Sequence, residues 1–319
     1  MRRLLEERVL LPLSNPVLNE LGDSARLPTL PGELAMTTDS FVVSPLFFPG
    51  GDIGSLAVFG TVNDLAVAGA EPVCLSLSFI LEEGLALATL DRVLASIRAA
   101  CERAHVFVAT GDTKVVPRGA ADQMFITTTG LGYFAHRAPP GAASLQVGDE
   151  IIVTGQIGQH GIAVLAARED LGFEPAPESD CAPLYDAVSA LRQLGTKIRA
   201  MRDATRGGVT AVLHEWARAS RVTIAIDEEA VPISRGVRSI CELLGLDPLG
   251  VANEGTMTAV VEGGAGELAI GALKAAGYAR AAVIGFVRTK GVVPVIVRGA
   301  LGRDRPLDEP LGAPLPRIC

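Results

Sequence analysis

Two hydrophobic periods that alternate along the chain, with one interruption, constrain this sequence most. Between residues 34 and 134 apolar stretches of period two take turns with stretches of period near 3.6; the pattern stops at Pro139-Pro140-Gly141 and resumes at residue 150. A strand points successive side chains to opposite faces, whereas a helix returns to one face every three or four residues. Leu34 to Val43 therefore reads as a strand, and Ile53 to Gly69 as a helix after the Pro49-Gly50-Gly51-Asp52 turn. Pro72 to Glu82 is a second strand, and Thr89 to Ala104 a helix with Leu90, Val93, Leu94 and Ile97 on one face. Val106 to Val116 and Met124 to Phe134 are strands, and Met1 to Leu10 ahead of them all is helical.

After the break, strands are expected at Glu150 to Gly155, Val222 to Asp227, Thr256 to Glu262, Ala281 to Val287 and Val292 to Arg298. Helices are expected at Gly161 to Glu169, Leu184 to Leu194, Gly207 to Ala219, Gly236 to Leu244 and Gly266 to Ala276. Strands and helices mixed in both halves make the fold class α+β, with α/β character, rather than a bundle or a sandwich. The expected organisation is a domain over 1–140, a second over 141–302, and a mobile tail over 303–319.

A chain of 319 residues, 49% of them hydrophobic, can fill two cores. With 36 acidic against 28 basic side chains and no basic run, a nucleic-acid or anionic-membrane surface is excluded as the main business. Five cysteines without a CxxC pair, and no leader ahead of them, point to the reducing cytosol. No apolar run is long enough to span a bilayer.

Four acids in the first half stand where acids are unexpected. Asp39 shares a strand face with Phe41 and Val43, Asp52 follows two glycines, and Asn63-Asp64 interrupts an apolar helix. On that helix Asp64 shares a face with Ala57, Gly60 and Ala68, small residues that admit a close neighbour. Asp112 lies in Thr110-Gly111-Asp112-Thr113-Lys114, where Asp112 and Lys114 project to one side of a strand. Hard oxygen ligands among glycine turns have the composition of a Mg²⁺–nucleotide site, though no Walker loop is present. The same residues also read as scattered solvated acids, with Asp112 and Lys114 a surface ion pair.

In the second half, Asp203-Ala204-Thr205-Arg206-Gly207-Gly208 runs into a helical pattern. Thr205 or Asp203 is a candidate N-cap, and the glycine amides at the helix start are a candidate anion site. Val251-Ala252-Asn253-Glu254-Gly255 sets Glu254 in a polar turn ahead of a strand. The chain ends Pro316-Arg317-Ile318-Cys319. Pro306, Pro310, Pro314 and Pro316 favour extended backbone, and 303–319 fully extended would approach 50 Å at about 3.3 Å per residue. Cys319 is too near the end for prenylation, and no second Cys or His lies at ligand spacing. An incidental cysteine on a frayed terminus and a reactive thiol on a reaching arm both fit.

Taken in order, Thr37-Thr38-Asp39-Ser40-Phe41, Pro49-Gly50-Gly51-Asp52-Ile53-Gly54, Val62-Asn63-Asp64-Leu65-Ala66, Gly111-Asp112-Thr113-Lys114, Asp203-Ala204-Thr205-Arg206-Gly207-Gly208, Ala252-Asn253-Glu254-Gly255 and the terminal Pro-Arg-Ile-Cys resemble the HypE family of hydrogenase maturation proteins. That family belongs with aminoimidazole ribonucleotide synthetase and selenophosphate synthetase. Each motif is weak alone; their order over nearly the whole chain is specific. Family members carry a His-Gly-Ser-Gly-Gly stretch ahead of the helix that here begins near Met1; this sequence is shortened or starts differently, and looser closure over ATP is expected.

The resemblance implies a two-domain PurM-like fold, a cytoplasmic homodimer, and partnership with the carbamoyltransferase HypF and the HypC–HypD complex. It implies that Cys319 carries a carbamoyl group, dehydrated with ATP to a thiocyanate that supplies cyanide to hydrogenase iron. Asp39, Asp52, Asp64 and Asp112 would then hold Mg²⁺ and position phosphates, with Asn63, Thr113, Gly207 and Gly208 supporting ATP. Glu254 is the preferred proton acceptor, with Lys114 polarising the oxygen or sharing the proton transfer. A non-catalytic carrier of a group on Cys319, or another ATP-dependent synthetase of the same superfamily, is the alternative.

Overall fold

The structure, a computed structural model, describes residues 4–299, 302–309, 315 and 317–319. It divides into two compact units: 1–137 with 181–183 and 319, and 138–180 with 184–318.

The first unit is a four-stranded sheet covered on one face by two helices. Its elements are β1 (Glu33–Phe41), α1 (Ile53–Val67), β2 (Glu71–Glu82), α2 (Leu87–Ala104), β3 (Phe107–Val116) and β4 (Met124–Phe134). The strand order is β1-β4-β2-β3; β2 and β3 run parallel, as the α2 crossover requires, and the other pairs are antiparallel. Thirteen of the fifteen residues of α1 are buried, because it is apolar all round and lies between the sheet and α2. Only Gly54 allows the second contact: a Cβ there would sit 2.7 Å from the Val93 carbonyl oxygen of α2. Burying Leu56, Phe59 and Val62 completely contributes about 1.5–3 kcal/mol each. The neighbour admitted by the small face of α1 is the sheet itself, since Thr128 Oγ1 donates to the Ala57 carbonyl at 3.3 Å. Ahead of β1, Leu5–Leu10 winds as a π-helix and continues through Leu11–Leu13; Met1 to Arg3 lie outside the described residues.

The second unit holds β5 (Glu150–Val153), α3 (Gln159–Arg168), α4 (Tyr185–Arg192), β6 (Ile198–Asp203), α5 (Gly208–Ser220), β7 (Thr223–Asp227), α6 (Arg235–Leu244), β8 (Met257–Val261), α7 (Gly266–Ala275), β9 (Ala282–Arg288), β10 (Val295–Arg298) and β11 (Asp304–Pro306). Seven strands form one sheet in the order β11-β10-β7-β9-β5-β8-β6, antiparallel except for the β10–β7 pair. Trp216, Leu213 and Val209 on one side of α5 pack into a core with Ile151, Val153, Ile224 and Val295 of the sheet.

Two differences from the sequence reading concern this unit. Ile198–Asp203 is an edge strand that periodicity missed, because Arg199 and Arg202 interrupt its apolar run. The segment expected to begin the tail is sheet: Asp304–Pro306 pairs with Val295–Arg298's strand β10, and Leu307 enters the core at 5% exposure. Pro306 sits on an edge strand, where a missing N–H costs no ladder bond. Pro310, Pro314 and Pro316 lie outside the described residues.

Candidate active-site elements

The alternation of β1 places Thr37, Asp39 and Phe41 on the covered face and Leu34, Met36, Thr38 and Ser40 on the open one. Thr37 Oγ1 donates to Asp64 Oδ2 at 2.8 Å, which joins β1 to the one acid of α1. Asp39 Oδ1 accepts from the Ser40 amide at 2.9 Å. Thr37, Asp39 and Asp64 thus gather where α1 meets β1.

Asp112 is elsewhere. Cross-strand partners share a face, and the row that contains Asp112 runs Ser40, Thr127, Ser78, Asp112, on the open side. Asp39 and Asp112 therefore occupy opposite faces of the sheet and its two edge strands, about 14 Å apart across three strand spacings. One ion cannot bind both. Among the described residues no three His, Cys, Asp or Glu side chains converge as a metal site, so the four aspartates are not a preassembled cage.

Asp52 departs furthest from the expected ligand role. It is the N-cap of α1: Oδ1 accepts from Gly54 N at 2.7 Å and Ser55 N at 3.1 Å, Ser55 Oγ accepts from the Asp52 amide, and Ser96 Oγ donates to Oδ2 at 2.6 Å. Both oxygens are engaged by a capping box and α2. Asn63, 1% exposed, donates from Nδ2 to the Ala182 carbonyl at 3.0 Å and so braces the 181–183 segment.

Lys114 Nζ lies 2.9 Å from Asp112 Oδ2, and both side chains are well exposed. Lys114 and the Thr113 amide hold the Asp112 carboxyl below the usual carboxylate range. Thr113 points the other way, into the wall of a cavity of about 240 Å³ that Leu77, Phe79 and the N-terminal helical run also line. Alternation splits Thr113 from its two neighbours, as it splits Asp39 from Asp112.

In the second unit the glycine turn and the Glu254 turn are one construction. Gly207 and Gly208 have φ of +79° and +59°, and a Cβ on Gly208 would fall 2.4 Å from the Leu249 carbonyl oxygen and 2.6 Å from that of Val251. Helix α5 starts at this turn with Gly207 as N-cap and no side-chain cap, so neither Thr205 nor Asp203 caps it; the Gly208 amide donates to the Thr205 carbonyl instead. The Asn253 amide donates to the Ala204 carbonyl at 2.9 Å, tying the two turns together.

Asp180, which the sequence did not single out, organises the Glu254 turn. Its carboxylate accepts from the Glu254 amide at 3.0 Å, the Gly255 amide at 3.1 Å and Asn253 Nδ2 at 3.0 Å. Asn253 Nδ2 also donates to the Gln156 carbonyl, and its Oδ1 accepts from the Gly158 amide. Charge-assisted bonds of this kind are the strong ones, and they hold Glu254 at 3% exposure in a turn that would otherwise be loose. The only sequence signal was an acid in a Pro-rich stretch, Glu174-Pro175-Ala176-Pro177-Glu178-Ser179-Asp180.

His160 was missed as well. It is fully buried, with Nδ1 2.8 Å from Ser179 Oγ and Nε2 2.6 Å from the Ile318 carbonyl oxygen. In the first unit, the Cys319 carbonyl accepts from the Val42 amide at 3.2 Å. Cys319 is half-buried, whereas the other four cysteines are buried. Burial pushes the Cys101 thiol up to about 12 and the Cys241 thiol up to about 11.

The two units, each a sheet with helices, define the class. Residues 22–134 match the family described as AIR synthase related protein, N-terminal domain, and residues 146–298 match its C-terminal domain. Both are PurM-like domains. Within that class the carbamoyl dehydratase HypE of Escherichia coli strain K12 is 45% identical over 326 residues, spanning all of this chain and 96% of the relative. A crystal structure of hydrogenase maturation protein HypE in complex with ATP superposes with a TM-score of 0.94 at 44% identity, covering 100% of this chain and 96% of that one. HypE in a HypE–HypF complex superposes at 0.84 with 41% identity, covering 96% of this chain and 99% of that one. This chain belongs to the HypE family.

Proposed function

We propose that this protein dehydrates a carbamoyl group carried on its own Cys319, consuming ATP, and so supplies cyanide for the iron of nickel–iron hydrogenase. The full-length match to carbamoyl dehydratases, in a chain that ends in a half-buried cysteine, carries the proposal. HypF is the donor of the carbamoyl group and the HypC–HypD complex the acceptor of the cyanide.

Loss of hydroxide from a thiocarbamate is prohibitive. Transfer of the γ-phosphoryl of ATP to the carbonyl oxygen forms an O–P bond, breaks the bond to ADP, and converts that oxygen into part of a leaving phosphate. The nitrogen then gives up its two protons, the C–O bond breaks, and S–C≡N remains on Cys319 beside ADP, phosphate and a released proton. Glu254 accepts a nitrogen proton, and the Asp180 network fixes its backbone. Lys114 orients the transferring group or polarises the carbonyl oxygen, and the exposed Asp112 beside it holds it in place.

Magnesium fits as an ion carried by the nucleotide phosphates, taking one or two carboxylates, rather than as an ion in an all-protein site. Asp112 suits it on one face of the sheet, and Asp39 with Asp64 on the other. Bound Mg²⁺ would neutralise charge on the transferring phosphoryl. The amides at the Gly207–Gly208 turn would receive phosphate oxygens. Asp52 contributes by fixing the start of α1, and Asn63 by bracing residues 181–183.

The proposal extends to a cytoplasmic homodimer. The open face of the first sheet leaves Leu34 and Met36 of β1 at 60% and 75% exposure, apolar surface suited to a second copy. No helix among the described residues is long and apolar enough to cross a membrane. The working division is a domain over 1–140 and a second from 141 that takes in strand β11, with Cys319 visiting both nucleotide and partners. ATP hydrolysis that depends on carbamoylation of Cys319 tests the enzyme reading, and hydrolysis indifferent to it points to a carrier.

A further inference from the structure

Helix α3 touches the end of the chain at three places within the second unit. At its start, His160 Nε2 meets the Ile318 carbonyl oxygen at 2.6 Å. One residue on, Gly161 leaves room for apolar packing: a Cβ there would lie 2.6 Å from Val251 Cγ1 and 3.3 Å from Leu315 Cδ1. At its last residue, Arg168 Nη2 donates to the Arg317 carbonyl. Leu315 and Ile318 are buried at 7% and 4% exposure.

The partners fix the histidine's protonation. A carbonyl oxygen only accepts, so Nε2 carries the proton and donates to Ile318; in the neutral ring Nδ1 then accepts from the Ser179 hydroxyl. Burial lowers the His160 pKa and favours that neutral form, although the Ile318 bond and nearby Asp180 oppose the shift. Arg317, whose carbonyl is the first of the two captured, takes φ of +55°, a conformation that an L side chain rarely adopts. The two hydrogen bonds from α3 are to backbone, so they read the path of the chain, while the buried Leu315 and Ile318 side chains add packing.

We infer that His160, fixed by Ser179 and assisted by Gly161 and Arg168, is a positioning residue that seats the last residues of the chain on α3 and thereby aims the Cys319 thiol. In this role it acts through the Ile318 backbone. The seat stands on geometry alone; its consequence for catalysis rests on the dehydratase reading.

The test is the rate of N-ethylmaleimide alkylation at each cysteine of the native full-length protein, read by peptide mass. His160→Leu should speed alkylation of Cys319 about fivefold, the factor that one net hydrogen bond is worth, with Cys74, Cys101, Cys181 and Cys241 still protected. His160→Gln keeps an N–H donor and should return most of the protection, while Ser179→Ala should give an intermediate rate. In the carbamoylated protein, His160→Leu should slow single-turnover dehydration at least about tenfold without changing ATP affinity, and His160→Gln should recover it. An unchanged Cys319 rate in His160→Leu, with the other four protected, overturns the inference. If that variant exposes the buried cysteines, Ser179→Ala decides, and an unchanged rate there overturns it too. A wild type that protects Cys319 yet never dehydrates its carbamoyl group would overturn only the dehydratase reading.

Discussion

His160 Nε2 lies 2.6 Å from the carbonyl oxygen of Ile318, so a fully buried imidazole is bonded to the residue that precedes the terminal cysteine. Among the groups facing the ring are the Ser179 hydroxyl, the Ile318 carbonyl and the Asp180 carboxylate.

Burial holds the folded pKa of His160 below its unfolded value of about 6.5. The unfolded chain therefore binds the proton first on acidification. Stability contributed by the neutral ring is complete above about pH 6.5 and is lost as pH falls from there towards the folded value. Melting temperature measured from pH 8 down to pH 5 should fall more steeply for the wild type than for His160→Gln. Parallel curves would show that His160 does not titrate on unfolding.

Asp180 should be the most costly acid to neutralise in the second unit. In Asp180→Asn the three N–H donors from Asn253, Glu254 and Gly255 lose a charged acceptor, and the new amide N–H₂ faces donors. A loss of at least about 2 kcal/mol is expected in urea unfolding. Dehydration should fail as well, because Glu254 loses its anchor; a variant with wild-type stability and turnover would remove Asp180 from the account.

Gly208→Ala tests the shared construction of the two turns. The added methyl meets the Leu249 and Val251 carbonyl oxygens at 2.4 and 2.6 Å, in a residue with φ of +59°. Overpacking against backbone costs about 1–3 kcal/mol, and a left-handed Cβ adds roughly 1 kcal/mol. Gly245→Ala, where φ is +67° and the added methyl meets nothing within 4 Å, should cost less. Equal melting temperatures for the two variants would contradict the packing argument.

Much of the fold was legible because its signals are local. Helix α2 shows its apolar stripe of Leu90, Val93, Leu94 and Ile97, and β4 was bounded correctly between Asp122-Gln123 and the His136-Arg137 pair that follows Ala135. What sequence could not give was which residues meet. Alternation was read correctly within β1, yet the rule that separates Asp39 from Asp112 acts only once the order β1-β4-β2-β3 is known. The capping role of Asp52 had no mark of its own, because a capping carboxylate and a metal-binding one share a sequence context of glycines and small residues. Asp180 and His160 act across long separations, with partners 19 to 158 residues away, and carry no local signature. Asp304–Pro306 reads as linker from its composition and is sheet only because β10 offers it an edge.

Glu254→Gln should retain ATP affinity, since the amide group that bonds Asp180 is unchanged, and should lose about 10²–10⁴-fold in dehydration rate as proton transfer is removed. Dehydration at the wild-type rate would exclude Glu254 as the proton acceptor.

The central claim is that Cys319 is the reactant. It is tested most directly by carbamoylating the protein with HypF, adding Mg²⁺ and ATP, and weighing the C-terminal peptide before and after. The account predicts loss of one water from the carbamoylated Cys319 peptide, a thiocyanate in its place, and one ADP formed per group converted. An intact carbamoyl group after ATP has been consumed would contradict it.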